Sequence, residues 1–159
     1  MPLAGEKVRA ADVGPRGLVA APATSAAGQA GTTTTEVKDL GVGDYTFVAV
    51  SGRIYRVTYN ARCQSTVAAD KMDCRVRDGG ASSPTNVSTL IAGSEVSCNI
   101  TAGGEHLLMT QILTGLSAGT HIIAAFYLRV VGTGSVTVSN STGQVRELYV
   151  EDVTGSSAN

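Results

Sequence analysis

The sequence predicts an all-β protein, an antiparallel β-sandwich or jelly-roll-like domain preceded by an extended N-terminal arm. From Thr32 onward, short alternating or β-branched segments are separated by turn residues at spacings of roughly 8–12 residues, which is typical of such domains. Residues 1–31 contain no aromatic residue and no comparable alternation. We therefore divide the chain into an arm (1–31), a sandwich (32–153) and a flexible C-terminal tail (154–159).

The arm is rich in small and turn-forming residues, among them Pro2 and Pro15. Such a sequence buries too little apolar surface to fold alone, so we expect it to become ordered on a partner. Five sizeable apolar side chains are the candidate anchors to a larger scaffold: Leu3, Val8, Val13, Leu18 and Val19.

The first predicted strands lie in the segments 32–37 and 45–50, which are rich in β-branched and aromatic residues. In 55–63, Tyr, Val, Tyr, Ala and Cys alternate with polar residues, so one face of this strand should be buried. Segment 72–77 repeats the alternation and ends at an Asp-Gly-Gly turn, residues 78–80.

The second half of the sandwich continues this pattern without any helical stripe. Segment 120–131 is apolar on both faces, which indicates the central strand of a sheet. Two short strands, 87–91 and 95–100, are expected to flank Gly93. The remaining predicted strands are 105–113, 135–139 and 144–153.

Charge and hydropathy exclude two classes of partner. The chain of 159 residues has a net charge of −1, from 12 basic and 13 acidic residues, and no block of like charge, which argues against nucleic-acid binding. Its longest apolar run, 122–128, is far shorter than the roughly 20 residues of a membrane-spanning helix. The N-terminus lacks the apolar stretch of a secretory signal, so we expect synthesis in the cytoplasm without secretion by that route.

Residues with metal or catalytic chemistry are few and scattered. Cys63, Cys74 and Cys98 are odd in number and widely spaced, and we interpret them as reduced, buried thiols. His106 and His121 lack neighbours at metal-binding spacings, so each is expected to be paired or on the surface. No nucleotide-binding or nucleophile motif occurs, and we assign no catalytic residue, cofactor or metal ligand.

The acidic residues fall mostly near predicted turns, where turn formation is the simplest role. A hydrolase hypothesis would need a glycosidase pair among them, and the two Phe, five Tyr and no Trp of the chain provide few aromatic rings to stack on a sugar. The acidic residues near predicted turns are Asp39, Asp44, Asp70, Asp73, Asp78 and Glu105. Four arginines are expected either to form a solvated strand face or to make an ion network between subunits: Arg75, Arg77, Arg129 and Arg146.

Several runs carry a family resemblance. Residues 75–90 resemble a stretch common in virion proteins of phages that infect actinobacteria, where a strand ends in an R-x-R-D-G turn. The ending 147–153 looks like the closing L-x-V-E-D strand of the same proteins, and 31–36 and 52–57 fit their first strand and the entry to their second. The opening, 4–13, is similar to the A-G-x-x-(I/V)-x-A-x-D-(V/L) start of short phage structural proteins.

This resemblance implies a non-enzymatic β-sandwich on the virion surface, made in the host bacterial cytoplasm and typically homotrimeric. Many such domains end longer minor tail proteins, whereas a sandwich on a short arm better fits a capsid decoration or head-fibre protein. The expected partners are other copies of the chain and, through the arm, the major capsid protein or a tail scaffold. The alternative is a tail-tip module whose loops, 79–86 or 115–119, contact a host glycan.

Overall fold

The protein is an all-β jelly roll, as the sequence predicts. The computed structural model describes residues 17–25, 31–98, 104–139 and 145–154. Within these ranges the chain forms eleven strands: β1 (Gly17–Leu18), β2 (Ala23–Ser25), β3 (Val37–Lys38), β4 (Asp44–Ala49), β5 (Tyr55–Ser65), β6 (Lys71–Asp78), β7 (Thr89–Ser97), β8 (Glu105–Leu113), β9 (Gly119–Val131), β10 (Val136–Ser139) and β11 (Arg146–Asp152).

The strands form two antiparallel sheets that pack face to face. In sheet I the order is β8-β5-β11-β1, with β2 also paired to β11 and β10 paired to the end of β5. In sheet II the order is β7-β6-β9-β4, with β3 also paired to β9. The chain crosses between the sheets repeatedly, and each sheet joins strands distant in sequence, which is the arrangement of a jelly roll.

Alternation along β5 and β6 places the core where the sequence predicts it. Tyr55, Val57 and Tyr59 of β5 are almost fully buried, as are the inward residues of β6. The two strands belong to different sheets, so these side chains fill the space between the layers. The period of two therefore identifies the inner face of each sheet correctly.

β9 is the central strand of sheet II, also as predicted. It pairs with β6 on one side and with β4 and β3 on the other. Ala124 and Phe126 are buried although they lie outside the main core cluster, on the outward face of the sheet. Burial on both faces explains why this segment has no polar alternation.

Two strand predictions are wrong in detail. The segments 87–91 and 95–100 were expected to flank a turn at Gly93, but β7 is one strand, in which Gly93 lies opposite Arg75. The glycine keeps an ordinary extended backbone there, and the irregularity is instead a register shift near Ile91. Segment 32–37 contributes only Val37 to β3, together with an isolated bridge from Thr32 to Val136.

Part of the expected arm lies on sheet I. Residues 17–18 and 23–25 pair with β11, whose outer edge would otherwise have no strand partner. Of the candidate anchors, Leu18 is half-exposed, whereas Val19 packs against the core and its N–H donates to the carbonyl oxygen of Val150 at 3.0 Å. The other three, Leu3, Val8 and Val13, lie outside the described residues.

The three cysteines are free and buried, which agrees with their interpretation as core residues. Burial raises the pKa of the Cys98 thiol to about 12, so this thiol stays protonated at neutral pH.

Candidate functional site

The chain enters the described fold at one end of the sandwich. Gly17 lies opposite Asp152, which in turn lies opposite Tyr55. Tyr55 also lies opposite Leu113, the last residue of β8. The first described residue of the arm, the end of β11 and the loop between β8 and β9 therefore share this end.

At the same end, a hydrogen-bonded bridge through His121 connects Asp78, the residue directly before the loop 79–86, with Ser117 in the loop 115–119; the sequence singled out both loops. Nδ1 of His121 lies 2.7 Å from Oδ2 of Asp78, at the end of β6. Nε2 of His121 lies 3.1 Å from the carbonyl oxygen of Ser117. The buried imidazole ring also stacks on Phe47, with ring centroids 5.7 Å apart. His121 is therefore a paired residue, as predicted, and it fixes one loop against the other.

This bridge has the Asp–His–Ser order of contacts that serine hydrolases use. The Ser117 hydroxyl oxygen lies 3.4 Å from Nε2, farther than the carbonyl oxygen of the same residue. The nearer partner of the ring is therefore the main chain of the loop. Asp78 also accepts a hydrogen bond from the Gly80 N–H at 2.8 Å, so both of its oxygens stabilise turns.

Arg146 forms an ion pair in the core, where the sequence had suggested a solvated face or an inter-subunit network. Its side chain is 1% exposed, and its Nη1 donates to Oδ1 of Asp39 at 2.8 Å. Asp39 also accepts hydrogen bonds from the Tyr59 hydroxyl and the Gly41 N–H. Both predictions for Arg146 are wrong, because its partner lies 107 residues away along the chain and comes close only in the fold.

The same ion pair reaches the strand contributed by the arm. Nη2 of Arg146 donates to the Ser25 hydroxyl in β2 at 3.3 Å. A Cβ atom at Gly41 would lie only 2.0 Å from Nη2 of Arg146. Glycine is therefore required at this position for the guanidinium to reach both Asp39 and Ser25.

Asp70 holds the turn between β9 and β10 at the opposite end of the sandwich. Its carboxylate accepts hydrogen bonds from the Ser65 hydroxyl and from the N–H groups of Thr133 and Gly134, at 2.7–3.1 Å. The Ser65 hydrogen bond is the main cause that lowers the pKa of Asp70, against the opposing effect of burial. A Cβ atom at Gly132 would lie 1.7 Å from this carboxylate, so the turn closes around Asp70.

Ion pairs within the chain cover the centre of the outer face of sheet II. Glu36 bonds both Arg75, at 2.6 Å, and Arg77, at 2.5 Å. Burial opposes the charged form of Glu36, but the hydrogen bonds from Arg77 and Arg75 prevail and lower its pKa. Arg75 and Lys38 lie on either side of Phe126 in the sheet, and Phe126 is 3% exposed.

Arg75 and Arg77 therefore have partners within their own chain. They are partly covered on the outer face of sheet II and are not a fully solvated strand face, while a network between subunits stays a prediction. The guanidinium of Arg129 likewise donates within the chain, to the carbonyl oxygen of Gly134.

Exposed apolar side chains follow the outer face of sheet I. On β8, Leu108 is 63% exposed and Ile112 is 49% exposed. Ile112 lies opposite Arg56, Arg56 lies opposite Glu151, and Glu151 lies opposite Leu18. This cross-strand row thus places an apolar residue on each side of the Arg56–Glu151 ion pair, whose atoms are 2.8 Å apart.

Within the described ranges, no three His, Cys, Asp or Glu side chains come together as a metal site would require. The same part of the chain contains no helix with the length and apolar character of a membrane crossing.

The sequence matches no protein-family model and no curated protein. Solved structures of similar fold include the carbohydrate-binding module CBM6cm-2 of Cellvibrio mixtus lichenase 5A, in complex with cellotriose. This module is 12% identical, with a TM-score of 0.39, over 85% of this chain and 98% of that one. The Eiger TNF of S. frugiperda is 9% identical, with a TM-score of 0.42, over 85% and 92% of the two chains.

The subviral particle of infectious bursal disease virus VP2 is also similar in fold. It is 10% identical, with a TM-score of 0.41, over 82% of this chain and 38% of that one. At such identities and scores the likeness assigns no ligand or partner to this chain.

Proposed function

We propose that the protein is a structural component of a phage virion, a capsid decoration or head-fibre protein held by its N-terminal arm. The observation that supports this most is a contrast between the polar and the exposed apolar side chains of the described residues. The polar clusters at Arg146, Asp70, Glu36 and His121 tie parts of one chain together. The exposed apolar groups of sheet I have no such internal role and are available for association.

In this proposal the arm anchors the protein and the sandwich associates with further copies about a symmetry axis. Leu18 supports the first part, because a half-exposed apolar side chain lies where the arm joins sheet I. Three-fold association is the arrangement that the resembling virion proteins suggest. The virion surface is the corresponding location, and assembly would follow synthesis in the host cytoplasm.

The test is a phage that encodes the protein without residues 2–16. This deletion ends just before Gly17, so it leaves β1 and β2 intact. We expect the shortened protein to fold but to be lost from purified particles, as measured by quantitative mass spectrometry. The matched control is a phage that encodes the protein without residues 155–159, and its purified particles should retain the protein. Normal incorporation without residues 2–16 would contradict the proposal, and so would absence of the full-length protein from particles.

The second candidate is a tail-tip module that contacts a host glycan, and the His121 bridge is the observation that favours it. The bridge holds the loops 79–86 and 115–119 side by side, as a shared binding surface would require. Binding of the purified protein to host cells or a glycan array, lost when both loops are replaced by Gly/Ser linkers, would support this candidate. A map of the intact particle would distinguish the two candidates. A capsid decoration protein would be present in hundreds of copies on the capsid, whereas a tail-tip module would be present in a few copies at the tail.

A further inference from the structure

The outer edge of β8 is a long strand edge with no hydrogen-bonded strand partner in the described part of the chain, although β7 of sheet II lies close to β8. β8 pairs with β5 in unbroken register, from Leu113 opposite Tyr55 to Glu105 opposite Cys63. Within the described ranges, no strand pairs with its other side. Such an edge presents a row of backbone donors and acceptors that another strand can bond.

β8 also lacks the features that normally protect an edge. Proteins protect edges with short strands, Lys or Pro residues, or bulges. β8 has nine residues, no Lys, no Pro and no register shift, and residues 107–113 carry no formal charge. Its outward side chains include the exposed Leu108 and Ile112.

The other described edges of the sandwich are shorter or less regular than β8. The far edge of sheet I consists of β1 and β2, which are two and three residues long. In sheet II, β7 has a register shift near Ile91 and carries Glu95, which is paired to Lys71. At the opposite edge of sheet II, β3 contributes two residues and β4 contributes six. β8 alone among the described edges is both long and regular, and its single charged residue is Glu105 at one end.

Self-pairing of β8 places no like charges opposite each other. In an antiparallel pair that overlaps over the full strand, Met109 lies on the two-fold axis. Leu108 then faces Thr110 of the second copy, and His106 faces Ile112. The Glu105 side chains lie at opposite ends of the pair, about 27 Å apart at about 3.4 Å per residue. Only Glu105 in each copy carries a formal charge, and it faces the apolar Leu113 of the second copy, so no charge repulsion opposes the pairing.

We propose that the outer edge of β8 pairs with β8 of a second copy about a two-fold axis at Met109, so that sheet I continues across two molecules. The contact is isologous, because the same surface serves both partners. It joins copies in even numbers. A separate three-fold contact, as in the proposed virion protein, would combine with it to give a hexamer.

The test compares two double variants of the full-length protein. Leu108→Lys with Thr110→Lys places two pairs of like charges directly opposite each other across the axis, at about 4.5–5.5 Å between Cβ atoms. Leu108→Lys with Thr110→Glu makes the same two pairs attractive. Both change only exposed positions on one strand, so they affect a single chain similarly. The measurement is the solution mass by light scattering after size exclusion.

We expect an even number of copies for the wild type, half that number for the Lys/Lys variant, and restoration of the wild-type mass for the Lys/Glu variant. Thr89→Lys, on the edge strand of sheet II, should leave the mass unchanged. A monomeric wild type, an unchanged mass in the Lys/Lys variant, or equal loss in both double variants would overturn the proposal. Particle incorporation is a separate measurement, so failure of either proposal can be recognised independently.

Discussion

Arg146 lies in the row of β11 side chains that faces the core, beside Leu148 and Val150. A guanidinium in this position requires a charged partner, because an unpaired buried charge costs several kcal/mol. Asp39 is that partner, and the pair contributes two things at once. It neutralises the charge, and it connects β11 with the loop after β3 and with β2.

We expect Arg146→Met to lower the free energy of unfolding by about 3–5 kcal/mol, since it leaves the Asp39 carboxylate buried without its cation. The matched control is Arg56→Met, which removes a guanidinium from the more exposed ion pair with Glu151 and should cost about 0–1 kcal/mol. Urea unfolding of both variants gives the comparison. Equal losses would show that Arg146 contributes no more than a surface residue.

At the scale of elements, the sequence predicts those strands whose own side chains alternate. β5, β6 and β11 each show a buried face that can be recognised in the printed sequence. β1 and β2 could not be predicted, because strands of two and three residues are defined by pairing to β11 and not by a pattern of their own. For the same reason the partners of Arg146 and His121 were missed, since tertiary contacts bring them together.

The turn between β9 and β10 is an element whose stability should depend on pH. Hydrogen bonds to Asp70 keep its pKa in the folded protein below the value of about 3.9 expected in the unfolded chain. The unfolded state therefore takes up the proton first as the pH falls. The stabilisation is fully present above the unfolded pKa and is lost as the pH falls through the folded pKa.

We therefore expect the free energy of unfolding to fall below about pH 4, and to fall less steeply in Asp70→Asn. Ser65→Ala keeps the carboxylate but removes the hydroxyl that contributes most to the lowered pKa, so its pH dependence should be intermediate. Denaturant unfolding at a series of pH values measures all three proteins. An acid dependence in Asp70→Asn as steep as that of the wild type would exclude Asp70 as a cause.

At the scale of the whole molecule, the boundary between arm and sandwich stays a prediction on which the contacts of residues 17–25 bear directly. Composition alone places it at residue 31, but three contacts integrate residues 17–25 into the fold. Val19 packs against the core, the Tyr45 hydroxyl donates to the carbonyl oxygen of Ala20 at 3.0 Å, and Ser25 accepts a hydrogen bond from Arg146. This segment is thus the first strand region of the jelly roll.

Two truncations test this boundary. Deletion of residues 2–16 should change the free energy of unfolding by no more than about 0.5 kcal/mol, because it leaves every contact among the described residues in place. Deletion of residues 2–25 should cost about 2–4 kcal/mol, because burial of Val19 and several hydrogen bonds are lost. It also exposes the edge of β11, so aggregation should increase. If both truncated proteins unfolded at the same denaturant concentration, residues 17–25 would belong to the arm and the boundary at residue 31 would stand.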